Sequence, residues 1–110
     1  MNAIENFKAL LASGRDNALL RYALGNEYLK TGDAQQAAEH LEVAVDMDPE
    51  YSAAWKLLGK VRVELGQVRA AIEAYENGIA VADRKGDRQA SKEMQVFLKR
   101  LQRAQRGETE

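Results

Sequence analysis

The side chains able to do chemistry are few and scattered. His40 is the single histidine, close to Glu39 and Glu42. A transition-metal centre needs several convergent ligands, and with no second histidine and no cysteine the set cannot be assembled around it. His40 lies beside the apolar stripe of its segment rather than in it, so a partly exposed surface position is expected. The lack of cysteine also removes disulfides, iron–sulfur clusters and any thiol nucleophile. Lys30-Thr31-Gly32 matches a catalytic triplet of penicillin-binding proteins, but the Ser-x-x-Lys that must accompany it is nowhere in the chain. No glycine precedes Lys-Ser or Lys-Thr, so no phosphate-cradling loop is expected. General acid–base work would need a matched pair in a cleft, and none stands at helical spacing. The expectation is a protein that is not an enzyme and carries no cofactor or metal.

The elements that must position these residues are helices. The chain has 110 residues, 45% hydrophobic and 30% charged, with one proline. That profile suits a folded, helix-rich domain and not a disordered chain. No run approaches the roughly 18 apolar residues of a membrane span, and the N-terminal MNAIENFKALLASG lacks the basic start and long apolar core of a secretory signal. A cytoplasmic protein without membrane contact is the default. The net charge of -1 is unevenly spread: residues 1–83 carry -5, residues 84–106 carry +6, and the closing GETE carries -2.

One apolar pattern recurs. Ala37, Ala38, Leu41, Ala44 and Val45 form a single helical stripe, and the same offsets appear at Ala3, Ile4, Phe7, Leu10 and Leu11 and at Ala71, Ile72, Tyr75, Gly78 and Ile79. Both intervals are 34 residues. Between the stripes Leu24-Gly25 matches Leu58-Gly59, and Gly32 matches Gly66. Gly32 and Gly66 fall where a helix should end, a place that favours the left-handed conformation. Gly25 and Gly59 fall inside helices, where glycine costs about 1 kcal/mol relative to alanine; a close backbone approach is the expected reason. Pro49, in DMDPEY, is expected to stop one helix and to occupy the first turn of the next. Asn77-Gly78 would suggest a hairpin in isolation, but the stripe around it overrides that reading.

These residues carry a resemblance. With Leu24-Gly25-x2-Tyr28, Ala37-x3-Leu41 and Pro49 in one copy and Trp55-x2-Leu58-Gly59 and Ala71-x3-Tyr75 in the other, the chain is similar to tetratricopeptide repeat (TPR) proteins, which stack 34-residue helix–turn–helix units. It resembles a small, stand-alone domain of bacterial type. Arg21 stands for the family's aromatic, Arg62 for its tyrosine and Asp83 for its second proline. The resemblance implies an all-α, right-handed solenoid of about six helices: a half-repeat helix at 2–13, repeats at 17–49 and 51–84, and a capping helix at 87–106, with 1–106 as one domain and 107–110 as a flexible tail. The last helix carries Lys92-Glu93 where a repeat would carry Leu-Gly, so it reads as a cap with a polar outer face. Its basic side chains lay their stems over apolar neighbours, and its charge would be drawn to the acidic body.

In similar proteins the first helix of each pair lines a concave groove. Carried over, that face comprises Leu19, Tyr22, Asn26, Leu29 and Lys30 from one repeat and Ala53, Lys56, Lys60, Val63 and Glu64 from the next. The implied function is a non-catalytic interaction module that takes a peptide or partner protein, acidic or carboxylate-bearing, in this groove. Asn26 matches one residue of the family's carboxylate clamp, but Tyr22 replaces its lysine and no matching Lys/Arg pair is expected from the closing helix, so that specificity is not anticipated. Two alternatives remain. Helix 2–13 lacks a first-type partner and would expose Phe7, Leu10 or Leu11, inviting a homodimer. Less favoured, the basic segment Arg84–Arg106 would touch nucleic acid.

Overall fold

The computed structural model describes residues 2–107, and every regular element among them is an α-helix: α1 (Ala3–Ala12), α2 (Ala18–Lys30), α3 (Ala34–Met47), α4 (Ser52–Glu64), α5 (Val68–Lys85) and α6 (Arg88–Gln105). Residues 108–110 of the expected tail lie outside the described residues. The helix starts follow from short polar side chains that accept from orphan N–H groups. Asn2 accepts from the Glu5 amide at 2.9 Å, Asn17 from Leu20 at 2.8 Å, Asp33 from Gln36 at 3.1 Å and Asp87 from Ala90 at 3.1 Å. The helix ends also repeat. Gly32 and Gly66 adopt φ of 85° and 75°. One residue further on, Asp33 and Gln67 donate back to the carbonyls of Tyr28 and Arg62 at 2.9 and 2.8 Å, the bond that closes a Schellman end.

Pro49 does not enter the first turn of α4. Helix α3 stops at Met47 and α4 starts at Ser52, so the proline sits in the connection. The Tyr51 amide donates to the Asp48 carbonyl at 3.1 Å, making Pro49 the second residue of a four-residue turn, a place its fixed φ suits. Its own carbonyl accepts from the Trp55 indole N–H at 2.8 Å, so the turn is pinned to α4 by the tryptophan.

Each helix packs on its neighbours in the chain, and the first-type helices α2, α4 and α6 also touch in sequence. The stripe on α3 is buried throughout: Ala37, Leu41 and Ala44 are fully inaccessible, Ala38 and Val45 nearly so. Leu58 meets it from α4, fully buried, and Leu24 on α2 is fully buried as well. Truncating any of these leucines to alanine costs about 2–5 kcal/mol, a large fraction of a small domain's stability.

The mid-helix glycines answer to side chains, not to a neighbouring backbone. A Cβ on Gly25 would sit 2.6 Å from Leu41 Cγ, and one on Gly59 would sit 2.6 Å from the Tyr75 ring. The bulky residue of each second-type helix thus fills the space that glycine leaves on its partner. Gly78 does the same for the closing helix: its missing Cβ leaves room for Met94, whose sulfur lies 2.5 Å from that position.

Helix α6 caps the array. Counting 34 residues from α4 places Lys92, Glu93 and Gln95 where Leu58, Gly59 and Val61 bind the second-type helix, so α6 has no apolar seat for a further partner. Its own stripe turns toward α5 instead. Met94 is fully buried, with Ala90, Phe97, Leu98 and Leu101 around Tyr75 and Ala82. Ala104, the last member of the expected stripe, is exposed.

Candidate functional site

The row of first-type helices leaves a concave cavity of about 780 Å³ closed at one end by α6. Tyr22 from α2 and Ala53, Lys56, Lys60, Val63 and Glu64 from α4 all line it. Leu57, Tyr75, Phe97, Arg100 and Leu101 complete it. The sequence reading placed Phe97 and Leu101 only in the cap's own packing and missed that the same side chains face the groove. The width of the α6 stripe was the available signal: Phe97 and Leu101 lie one turn apart on its groove-side edge. Arg100 also means that the closing helix does bring a cation to this cavity.

Four expected groove residues lie elsewhere. Leu19, 69% exposed, lines a separate hollow of about 410 Å³ with Phe7 and Leu10, between α1 and α2. Asn26 is half-buried and outside the cavity lining. Leu29 packs against the central core, and Lys30 pairs with Glu27 at 3.0 Å across one helical turn. The cavity is centred on α4 and α6, so α2 reaches it only through Tyr22, whose ring also meets that of Tyr51 at 5.0 Å.

The electrostatics of the rim are set by pairing. Lys56 Nζ is 2.6 Å from Glu93 Oε2 on α6, and this hydrogen bond holds the Glu93 carboxyl below its ordinary pKa. Lys60, Arg100 and Glu64 stand exposed around the opening. Below them Tyr75 is 3% exposed, its ring 5.6 Å from that of Phe97. Burial raises its phenol to about 12, so it stays a neutral O–H donor at physiological pH.

The remaining polar candidates form a structural network on α2 and α3. Arg21, in the place of the family aromatic, grips both oxygens of Asp16 at 2.8 Å and donates to His40 Nδ1 at 3.1 Å. His40 stacks on Tyr28 with centroids 5.5 Å apart and 5° between planes. An acceptor at Nδ1 puts the imidazole proton on Nε2, and burial followed by the Arg21 charge lowers the pKa of the ring. His40 is therefore half-buried and engaged. In the next repeat Arg62 replaces Tyr28 by register; its guanidinium donates to the Ala70 carbonyl at 3.0 Å and to Glu42 at 3.2 Å, while its Nε is buried without a partner. Among the described residues no group of three His, Cys, Asp or Glu is placed to hold a metal, and no helix is long and apolar enough to cross a membrane.

This helical array with a concave face is that of a repeat-built interaction domain. The tetratricopeptide repeat family model matches residues 1–49 and 22–87, and the chain belongs to that family. It is 55% identical over 101 residues to a TPR repeat-containing protein of Pseudomonas aeruginosa, covering 92% of this chain and 96% of that one. It is also 30% identical over 105 residues to the heat-shock protein cognate co-chaperone sgt12 of Aspergillus fumigatus, spanning 96% of this chain but 31% of the co-chaperone. Among solved structures, a Bordetella parapertussis protein shares the fold at a TM-score of 0.81 with 45% identity, covering 94% of this chain and 90% of that one. The Sgt2 TPR domain of Aspergillus fumigatus follows at 0.80 with 32% identity, covering 94% and 69%.

Proposed function

We propose that the concave face formed by α2, α4 and α6 binds a short segment of a partner protein, without catalysis. The observation that carries this reading is the single cavity that gathers Tyr22, Ala53, Lys56, Lys60, Val63 and Glu64. Its size falls within the range of sites that engulf a ligand, about 300–1,000 Å³. Family membership supports a binding role, and the likeness to the co-chaperone sgt12 supports a peptide as the ligand. The basic groups at the opening favour acidic flanks on that peptide. The test is a pull-down comparing wild type with a Tyr22→Ala/Lys60→Glu variant; Lys56 is left intact because it holds Glu93 of the cap. Loss of the captured partner is expected, and an unchanged partner set from a folded variant overturns the groove.

A second reading is favoured by the N-terminal helix. The five stripe positions that are buried on α3 have counterparts on α1 of which none is buried, and Leu10 is 36% exposed beside Leu19. Helix α2 covers this strip only in part, and two copies joined through it would bury the rest. Light scattering of wild type and Leu10→Glu decides: a concentration-dependent dimer lost in the variant supports it, and a strictly monomeric wild type overturns it. Nucleic-acid contact through the basic segment is less favoured, since at its start Arg84 is 2.6 Å from Glu50 Oε2 and Lys85 donates to the Glu50 carbonyl.

A further inference from the structure

Helix α6 carries cations on the side turned away from the rest of the chain. Lys92, Lys99 and Arg103 share one helix face, opposite the buried Met94, and all three are exposed. The one carboxylate within the helix, Glu93, is held by Lys56 of α4. None of the three cations forms an ion pair with another described residue. In the middle of this basic row Val96 is 46% exposed. The opposite charge lies on the outer face of α3. The buried stripe of that helix leaves Glu39, Val43 and Asp46 on its other side, the valine half-buried and both carboxylates exposed. Neither carboxylate is in an ion pair with a described residue. The spacing is the same on both helices: Glu39, Val43 and Asp46 stand at i, i+4 and i+7, and so do Lys92, Val96 and Lys99. That spacing keeps three side chains in one row over about 10 Å. Within one copy the two rows cannot meet, since α3 and α6 make no contact.

We propose that the outer face of α6 docks on the outer face of α3 of a second copy, with Lys92 against Glu39, Val96 against Val43 and Lys99 against Asp46. Laid side by side in the same direction, the two rows match rung for rung. A second copy is specified over a nucleic acid because it supplies a valine as well as two carboxylates at the required spacing. The net charge of -1 leaves little repulsion between copies to oppose the contact. The contact joins two different faces, so it leaves a free α3 row on one copy and a free α6 row on the other. Association therefore does not stop at a dimer. Exposed ion pairs are weak and screened by salt, so the assembly is transient and belongs to high protein concentration and low ionic strength. It uses neither the groove nor the strip on α1.

The test is sedimentation velocity over a range of protein concentrations at about 0.01 M and about 1 M salt, between which the screening length falls from about 30 Å to about 3 Å. Wild type is expected to show a mean mass that rises with concentration at low salt and stays that of a monomer at high salt. Lys92→Glu/Lys99→Glu is expected to weaken the low-salt association about tenfold or more, and Glu39→Lys/Asp46→Lys likewise. Mixing these two variants is expected to restore it, because each then supplies the row the other needs. The neutral variant Lys92→Gln/Lys99→Gln, a milder change, is expected to lose the salt dependence. Lys8→Glu/Lys60→Glu has the same net charge as the first variant but is altered elsewhere, and is expected to associate as wild type does. The same holds for Leu10→Glu. A wild type that stays monomeric at low salt, with or without an added oligonucleotide bound to α6, overturns the proposal. So does association that survives both charge reversals, or a mixture no better than either variant alone. Equal loss in Lys8→Glu/Lys60→Glu overturns it because net charge then governs. Loss in Leu10→Glu, with neither reversal having an effect, overturns it and assigns self-association to α1.

Discussion

Lys56 on α4 and Glu93 on α6 meet at 2.6 Å across the closed end of the groove. The sense of the pair is the reverse of the overall charge layout, in which the body is acidic and the cap basic: here the body supplies the cation and the cap the anion. The pair therefore does two things at once. It ties the cap to a first-type helix that it otherwise touches little, and it neutralises a lysine that would face the ligand.

Both side chains are more than a third exposed, at 35% and 41%, so solvent screening keeps the stabilisation modest. Glu93→Gln is expected to leave the melting temperature almost unchanged at physiological salt. Glu93→Lys is expected to lower it, by an amount that shrinks as salt is added, because the new charge faces Lys56. Lys56 holds the carboxyl of Glu93 below the ordinary carboxylate range, so its contribution is present above that range and is lost as pH falls through the lower folded value. Thermal melts across pH and salt check all three outcomes.

The two mid-helix glycines make a matched pair with different neighbours. Alanine at Gly25 meets the branched end of Leu41, and alanine at Gly59 meets the ring of Tyr75, each at 2.6 Å. Either change gains about 1 kcal/mol of helix propensity and incurs overpacking of about 1–3 kcal/mol. A leucine has rotamers to give; the tyrosine ring is rigid and also held by Phe97. Gly59→Ala is expected to be the more destabilising, by about 1–2 kcal/mol net, and Gly25→Ala close to neutral. Urea denaturation of both variants measures the difference.

His40 gives the protein a pH dependence that the carboxylates do not. Its pKa is lowered from 6.5 by burial and by Arg21. The unfolded chain therefore binds a proton at a higher pH than the native state does. Stability is full above about 6.5 and declines as pH falls below that value toward the folded pKa, with the sign set by proton uptake on unfolding. His40→Gln is expected to abolish this segment of the stability curve. Chemical denaturation at pH 7.5, 6.5 and 5.5 distinguishes it from the acid limb, which belongs to Asp16, Glu50 and Glu93, whose pKa values are lowered by Arg21, Arg84 and Lys56.

The helices and their spacing were legible in the sequence because their causes are local. Stripes, Asn and Asp caps and the glycines at 32 and 66 act within a few residues, and repetition at 34 confirms each by its counterpart. The groove was less legible because α6 leaves the register. Lys60 is exposed in the groove, yet its counterpart 34 residues on, Met94, is fully buried against Gly78. A closing helix with no partner turns its one apolar face to α5, and that turn carries Phe97, Arg100 and Leu101 into the cavity. The far side of α2 stands apart from the cavity for a related reason. Leu19, Asn26 and Lys30 share a helix face with Tyr22, but the cavity has moved toward the cap and leaves them behind.

The cap covers the apolar face that α5 would otherwise leave open. Deleting residues 87–110 removes Met94, Phe97, Leu98 and Leu101 and lays bare Tyr75 and Ala82, which are 3% and 0% exposed in the intact chain. It also leaves Lys56 without Glu93. Nothing polar replaces the lost cover, since the outer face of α5 was built to be buried. The truncated chain is expected to aggregate or to lose its cooperative transition, as uncapped repeat arrays do. The companion variant Lys92→Ala/Lys99→Ala, which alters only exposed residues of the same helix, is expected to melt as wild type does. Analytical ultracentrifugation and thermal melts on both variants separate the cases: a soluble truncation with wild-type melting would show that α5 needs no cover, and the stability would then have to reside in the two central repeats alone.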